Sequence, residues 1–250
     1  MSGDAILEVH DLTVGYRGAG VGIDHISFDV PAQGAVVLLG ANGAGKSSTL
    51  RGIGGIMASE PAVVRSGYVV FEGDRLDRLG PNARARRGIS LVPEENKIFP
   101  KLTVRENLAV GGMIAGKRAK EHLERALDVF PDLREHLPRL GGLLSGGQRQ
   151  MLGVAMALCS GAKLLIVDEL TLGLSPMLVP VLVRQLKTLV DGGLPVLIAD
   201  QNLLVARALA NVVCQLEGGR LISSGPPATV LAQMAAGERG GAMGVAHVER

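Results

Sequence analysis

Aromatic residues are scarce in this chain of 250 residues: they make up 2% of it, and tryptophan is absent. The core must therefore be built from Val, Leu, Ile, Ala and Met, and stacking platforms for nucleic-acid bases are missing. The net charge of +2 is also too small to indicate a nucleic-acid partner. Composition thus argues against binding of DNA or RNA.

Cysteine and long apolar runs are scarce as well. Only Cys159 and Cys214 occur, each in an apolar stretch, which favours buried thiols over a disulfide framework. The first residues show no basic region followed by an apolar run, and no uninterrupted run of about 18 apolar residues occurs. We expect a cytosolic chain whose contact with a membrane is peripheral.

Alternation of segment types indicates an α/β fold. Short apolar runs at residues 35–39, 164–167 and 196–199 alternate with helical patterns, which predicts a mainly parallel central sheet covered by helices. The strand-like segments at residues 6–14 and 26–30 add an N-terminal antiparallel β portion to this prediction.

A more charged helical pattern between residues 104 and 137 interrupts the alternation. We interpret it as a helical lobe, about residues 95–158, inserted into the α/β core. One domain is expected over residues 1–236, followed by a flexible tail at residues 237–250. The basic run of Arg84, Arg86 and Arg87 is interpreted as a solvated helix face rather than a contact with lipid or a partner.

The segment GANGAGKS at residues 40–47 fits the phosphate-loop pattern, and it follows an apolar strand and precedes a helix. Its glycines allow successive amides to point at phosphate oxygens, Lys46 would neutralise the β- and γ-phosphates, and the Ser47 hydroxyl would bind magnesium. The flanking strand and helix favour this over a glycine turn that binds nothing. The candidate nucleotide-binding residues here are Gly40, Ala41, Asn42, Gly43, Ala44, Gly45, Lys46, Ser47 and Ser48.

A second segment, LLIVDE at residues 164–169, places two acids after a buried strand. The carboxyl end of that strand should lie beside the phosphate loop. Asp168 is the candidate magnesium ligand, and Glu169 is the candidate for orienting and polarising the attacking water. The alternative, a strand ending in two solvated acids, is less favoured beside a phosphate loop.

The third segment, LLSGGQ at residues 143–148, is the most discriminating. Ser145 can cap the following helix, and Gly146 and Gly147 let a phosphate approach the amides at its start. Gln148 completes this candidate site. A plain serine-capped helix is the alternative, which the order and spacing of the three motifs disfavour.

With these three motifs, the chain resembles the ATP-binding subunit of an ABC transporter over about residues 5–235. The resemblance implies ATP and Mg²⁺ as ligands. It also implies a second ATP-binding subunit, the same or a related chain, packed head to tail. Each ATP would then lie between one subunit's phosphate loop and the signature, residues 143–148, of the other.

Further positions match by resemblance. Tyr16 falls where the family stacks an aromatic ring on adenine, although a plain strand tyrosine is the alternative. Glu94 takes the position of the glutamine loop, which touches magnesium and faces the membrane subunit. Gln201 stands where many members carry a histidine that contacts the γ-phosphate, so it joins Glu169 as a candidate catalytic residue.

The branch is suggested by Glu94, by the segment LGLSP and by Gln201, which together are similar to the smaller ATP-binding subunit of branched-chain amino-acid importers. This similarity implies two transmembrane permease subunits and, indirectly, an extracytoplasmic substrate-binding protein. It also implies a peripheral location on the cytoplasmic face of the inner membrane.

Two departures from the family pattern leave an alternative open: Leu170 stands where the family has proline after the catalytic glutamate, and Gln201 replaces the histidine. The chain could therefore be a regulatory or weakly active subunit whose partner does most hydrolysis, although intact Lys46, Asp168 and Glu169 argue against this. A soluble ABC ATPase acting on ribosomes or DNA is a further alternative. Such proteins usually carry two cassettes or a long coiled coil, and this sequence shows neither.

Overall fold

Strands form at the apolar runs that the sequence predicts. The structure, a computed structural model, describes residues 5–16, 20–55 and 62–243. The strands of these residues are β1 (Ala5–Tyr16), β2 (Gly20–Pro31), β3 (Ala35–Leu39), β4 (Ala62–Phe71), β5 (Asp74–Arg75), β6 (Ile89–Val92), β7 (Leu164–Asp168), β8 (Val196–Asp200), β9 (Val212–Glu217) and β10 (Arg220–Gly225).

Helices occupy most of the remaining described chain. They are α1 (Lys46–Gly54), α2 (Pro81–Arg86), α3 (Val104–Gly111), α4 (Ala119–Val129), α5 (Asp132–His136), α6 (Gly146–Cys159), α7 (Val179–Asp191), α8 (Leu203–Leu209) and α9 (Pro227–Met243).

Two sheets organise the strands. The first has the order β2-β1-β4-β5 and is antiparallel throughout. The second has the order β10-β9-β3-β8-β7-β6 and is parallel except for its edge pair, β9 and β10. Both parts of the fold-class prediction, the mainly parallel sheet and the N-terminal antiparallel portion, are therefore confirmed.

The parallel sheet is buried on both faces, which explains its uninterrupted apolar strands. Successive side chains of β3 point to opposite faces: Val36 and Leu38 belong to one apolar cluster, and Val37 and Leu39 to the other. The first cluster lies against the antiparallel sheet, and the second contains side chains of the helical lobe, for example Phe130. The central strands are thus held between two cores.

The helical lobe contains α3, α4 and α5, and α6 leads from it back to the parallel sheet. Helix α3 begins with a capping box in which Thr103 and Glu106 satisfy each other's backbone amides. Packing of α3 and α4 on α6 encloses apolar side chains such as Leu108, Leu127 and Leu152. The predicted lobe is part of the ABC-type fold that the structure shows.

Arg84 departs from the sequence prediction, because it is buried rather than solvated. Its guanidinium donates hydrogen bonds to the backbone oxygens of Gly52, Ile53, Leu76 and Leu79. Those carbonyls lie at the end of α1 and in the segment before α2, where a five-donor fork can satisfy several acceptors at once. The solvated-face interpretation was wrong for this residue.

Helix α9 continues to Met243, so the first part of the predicted tail, residues 237–243, is helical. Flexibility of the tail stays a prediction. The remainder of that predicted tail, residues 244–250, lies outside the described residues. In the part of the chain that the structure describes, no helix is long and apolar enough to cross a membrane.

Candidate nucleotide site at the carboxyl edge of the parallel sheet

Three neighbouring strands bring the sequence motifs together. β3 lies beside β8, and β8 lies beside β7, all three parallel. Their carboxyl ends therefore meet at one edge of the sheet, where ligands of open α/β sheets bind. The phosphate loop follows β3, Asp168 ends β7 and Asp200 ends β8.

The phosphate loop has a backbone that only glycine adopts without strain at two positions. Gly43 and Gly45 have φ angles of 80° and 103°. Gly45 also has no room for a side chain, since a Cβ there would lie 2.7 Å from Cγ2 of Ile23. The N-cap residue of α1 is Gly45, which has no side chain to accept from the first amides of the helix, so these amides can bind an anion.

Lys46 is buried and fully engaged. Its Nζ donates hydrogen bonds to the carbonyl oxygens of Gly40, at 3.0 Å, and Ala41, at 3.2 Å. The same atom lies 3.0 Å from Oε1 of Glu169, and both side chains are at most 7% exposed. The lysine of the phosphate loop is thus neutralised by the acid proposed to act on water.

Ser47 and Asp168 form the second contact between the two motifs, with Oγ of Ser47 donating to Oδ1 of Asp168 at 3.0 Å. Burial raises the pKa of Asp168 to about 6, the Ser47 hydrogen bond partly offsets this, and the negative charges of Glu94 and Glu169 add to it. Mg²⁺ prefers oxygen ligands such as hydroxyls and carboxylates, and here Glu94 and Glu169 add negative charge nearby. Ser47 and Asp168 therefore fit this ion.

Glu169 lies in a constrained turn. Its φ angle is 49°, in the left-handed region, and its amide donates to the Ala199 carbonyl at 2.9 Å. Burial raises its pKa, although its hydrogen bond and ion pair with Lys46 oppose this. A proline at position 170, the usual residue of the family, would favour an extended backbone at Glu169. Leu170 imposes no such restriction and therefore allows the left-handed conformation.

A cavity of about 340 Å³ opens above these groups. It is lined by loop residues and acids together, including Asn42, Gly43, Lys46, Ser47, Ser48, Glu94 and Glu169. Free amides, a lysine and hard oxygen ligands at one cavity can bind a phosphate chain with its metal ion. Glu94 thus lies at the same cavity as the phosphate loop.

Tyr16 lies beside the phosphate loop rather than at this cavity. Its hydroxyl is 2.8 Å from Oγ of Ser48, and its ring occupies the space over Gly22, where a Cβ would be 2.5 Å from Cε2. Arg51 also donates to the Tyr16 hydroxyl, at 3.4 Å. Contact of Tyr16 with adenine stays a prediction.

Gln201 is exposed and, among the described residues, is not part of the cavity lining. It follows Asp200 directly, so its backbone is at the correct edge of the sheet. Its contact with a γ-phosphate stays a prediction.

The signature is a separate surface feature of this chain. Ser145 and Gln148 form a capping box at the start of α6, with Oγ of Ser145 accepting from the Gln148 amide at 3.2 Å. Ser145 and Gly146 are exposed, whereas Gly147 is buried. None of the described residues lining the phosphate-loop cavity belongs to the signature. The phosphate loop and the signature of one chain therefore do not line the same cavity.

Sequence reasoning missed three polar residues near the motifs. Asp200 accepts hydrogen bonds from Thr171, Lys97 bonds to the side chain of the buried Gln150, and the His136 ring lies 2.8 Å from the Gln148 side chain. Asp200 carried a usable signal, because VLIAD ends an apolar strand in an acid just as LLIVD does. The other two depend on tertiary packing.

Comparison with known proteins decides the family. Residues 23–172, more than half of the chain, match the family model described as ABC transporter. The chain belongs to the ABC transporter family. It is accordingly an ATP-hydrolysing, nucleotide-binding subunit of a transporter, as the motifs predict.

Curated relatives give a similar result. The chain is 36% identical over 217 residues to the high-affinity branched-chain amino acid transport ATP-binding protein BraG of Pseudomonas aeruginosa, covering 86% of this chain and 91% of the relative. It is also 36% identical to a probable branched-chain amino acid transport ATP-binding protein LivF of Archaeoglobus fulgidus, with coverage of 88% and 92%. Identity to the lipopolysaccharide export system ATP-binding protein LptB of Escherichia coli is 34%, with coverage of 91% and 93%.

Solved structures share the fold. An ABC transporter cassette in its ADP conformation matches with a TM-score of 0.80 at 23% identity, covering 94% of this chain and 97% of the other. A dimeric bacterial ABC transporter cassette matches with a TM-score of 0.76 at 20% identity, covering 88% and 98%.

Proposed function

We propose that this chain hydrolyses ATP for an ABC importer of branched-chain or related amino acids. The observation that carries the hydrolytic part is the meeting of the phosphate loop, Asp168 and Glu169 at one edge of the sheet. The amino-acid part rests on similarity to the two branched-chain amino acid transport proteins.

Lys46 and Glu169 change partners when ATP binds. Lys46 would leave the Gly40 and Ala41 carbonyls and Glu169 for the phosphate oxygens, which offer it more negative charge. Glu169 would then be free to accept a hydrogen bond from the attacking water and polarise it. Its raised pKa means that it is a better proton acceptor than a solvated glutamate.

Ser47 and Asp168 would hold magnesium, with Glu94 at the same cavity. When bound, this ion would neutralise charge on the phosphates. Asp168 would bind it as the carboxylate, since a metal ligand must be deprotonated. Gln201 would donate a hydrogen bond to the terminal phosphate from the adjacent strand end.

The signature would serve the nucleotide of a second ATP-binding subunit packed head to tail. Ser145, Gly146, Gly147 and Gln148 lie outside the chain's own phosphate-loop cavity, and the first two are exposed. Tyr16 would stack on the adenine of the chain's own nucleotide. Closure on ATP and reopening after hydrolysis would supply the transport motion.

Two transmembrane permease subunits would receive that motion, with a substrate-binding protein delivering cargo outside the membrane. The chain would bind peripherally at the cytoplasmic face of the membrane, and the segment after Glu94 is our candidate for the contact. This assembly is inferred from the family and from the relatives' transport functions.

Uptake in the source cells tests the cargo. Replacing the chain by the Lys46→Ala variant should reduce uptake of labelled leucine, isoleucine and valine more than about tenfold, since the phosphate loop loses its cation. Restoring the wild-type chain should restore uptake, and immunoblotting controls for abundance. Unchanged uptake of all three amino acids, with a change in lipopolysaccharide at the surface instead, would refute the importer assignment.

A further inference from the structure

Asp200 is a buried carboxylate that the mechanism above does not use. It ends β8, lies opposite Leu39 of β3 in the sheet register, and is 0% exposed. No ion pair of the described residues includes it. Burying a carboxylate costs free energy unless hydrogen bonds satisfy it. The hydrogen-bond donors around Asp200 therefore indicate its role.

Those partners lie in the turn that carries Glu169. Oδ2 of Asp200 accepts from the Thr171 amide at 3.0 Å, and Oδ1 accepts from Oγ1 of Thr171 at 3.0 Å. Oδ1 also accepts from the Asn202 amide at 2.9 Å. One side chain therefore holds both polar groups of a residue two positions after Glu169.

The turn has a second attachment to the same strand, because the Glu169 amide donates to the Ala199 carbonyl. Between the two attachments lies Leu170, which is buried but, unlike proline, leaves its own φ free. A left-handed backbone such as that of Glu169 is strained and persists only when neighbouring contacts hold it. Here the hydrogen bonds to Ala199 and Asp200 hold the turn in this conformation.

We propose that Asp200 is a positioning residue for hydrolysis, which acts through Thr171 to fix the turn that aims Glu169. The inference rests on the proposed role of Glu169. Asp200 is not among the described residues that line the phosphate-loop cavity, and its charge also helps to raise the pKa of Glu169. The Thr171 variants keep that charge and therefore isolate the effect of the turn. Release of the turn should lower kcat and leave nucleotide affinity unchanged, because Lys46 and the loop amides are untouched.

Graded variants test this assignment. Thr171→Val removes the hydroxyl bond and keeps the amide bond, and Thr171→Ser keeps both. Asp200→Asn leaves either the Thr171 amide or the Asn202 amide facing an NH₂ group that cannot accept from it. Thr188→Val is the matched control, since that hydroxyl bonds to the Arg184 carbonyl on the exposed face of α7. Each variant is assayed for ATP turnover, binding of a fluorescent ATP analogue and melting temperature.

We expect kcat to fall about tenfold in Thr171→Val and further in Asp200→Asn, with KM and nucleotide Kd within about twofold of wild type. Thr171→Ser and Thr188→Val should match wild type. If Asp200→Asn does not fold, Thr171→Val alone decides. Unchanged kcat, or losses of kcat, Kd and melting temperature in proportion, would overturn the proposal. Turnover of Glu169→Gln is measured in the same assay. Wild-type turnover by this variant would refute the proposed role of Glu169, whatever the Thr171 variants show.

Discussion

At the residue scale, the ion pair between Lys46 and Glu169 dominates the site. Both groups are almost fully buried, so neither can exchange its partner for water. Breaking such a pair from one side leaves an uncompensated charge, whereas removing both partners does not. Loss of either partner alone should therefore destabilise the folded chain, and Lys46 must leave Glu169 to bind phosphate.

Lys46→Ala should lower the free energy of unfolding of the nucleotide-free protein by about 2–4 kcal/mol, since Glu169 is left buried and unpaired. Adding Glu169→Gln should recover at least about 1 kcal/mol, because the neutral amide needs no counter-charge. Urea denaturation of both single variants and the double variant measures the coupling. Strict additivity of the two single effects would contradict the ion pair.

Asp168 predicts a pH dependence of stability. Its pKa is raised from 3.8 to about 6 by burial, so the folded state holds this proton more tightly than the unfolded state. Stability contributed by the protonated carboxyl is therefore present at low pH and is lost as pH rises through about 6. Asp168→Asn should stabilise the nucleotide-free protein by roughly 2–3 kcal/mol at pH 7.5 and by about half of that at pH 5. An equal gain at both pH values, by urea denaturation, would rule out this origin.

At the element scale, two helices begin with the same device. Thr103 caps α3 and Ser145 caps α6, each in a reciprocal capping box with the residue three positions later. Only the α6 cap lies in the signature, and its Gln148 also reaches His136 on α5. Comparing variants at the two caps therefore distinguishes the effect of a cap on stability from a role in hydrolysis.

Thr103→Ala and Ser145→Ala should each lower the free energy of unfolding by about 1 kcal/mol, because each leaves a helix-start amide without its acceptor. Only Ser145→Ala should also reduce ATP turnover, by about tenfold or more, since we propose that its hydroxyl and helix start contact the nucleotide of a second subunit. Turnover and chemical denaturation are measured on both. Equal turnover in the two variants would remove Ser145 from the nucleotide site.

At the scale of the whole molecule, local sequence patterns predicted the strands of the parallel sheet because burial on both faces makes them continuous apolar runs. They also predicted that the phosphate loop and the acids of β7 share one sheet edge. The partners of Arg84 and Asp200 could not be predicted in this way, although the acid that ends the apolar run VLIAD marked Asp200 as a candidate. Those partners are carbonyls and amides that the fold brings close, which no local pattern records.

No described residue of the signature lines the phosphate-loop cavity, which agrees with the proposal that the signature serves the nucleotide of a second subunit. The family resemblance implied the same arrangement. The residues that hold and cleave ATP are nevertheless expected within one sheet edge, at Lys46, Asp168 and Glu169.

The most direct measurement is ATP turnover by Glu169→Gln beside wild type, with ATP binding measured in parallel and Glu121→Gln, on the exposed face of α4, as the control. We predict that Glu121→Gln binds ATP as wild type does, and that Glu169→Gln binds it at least as tightly because Lys46 no longer pairs with a carboxylate. Turnover should fall at least about a hundredfold in Glu169→Gln only, as expected when a general base is removed. Wild-type turnover by Glu169→Gln would contradict the role of Glu169 as the general base.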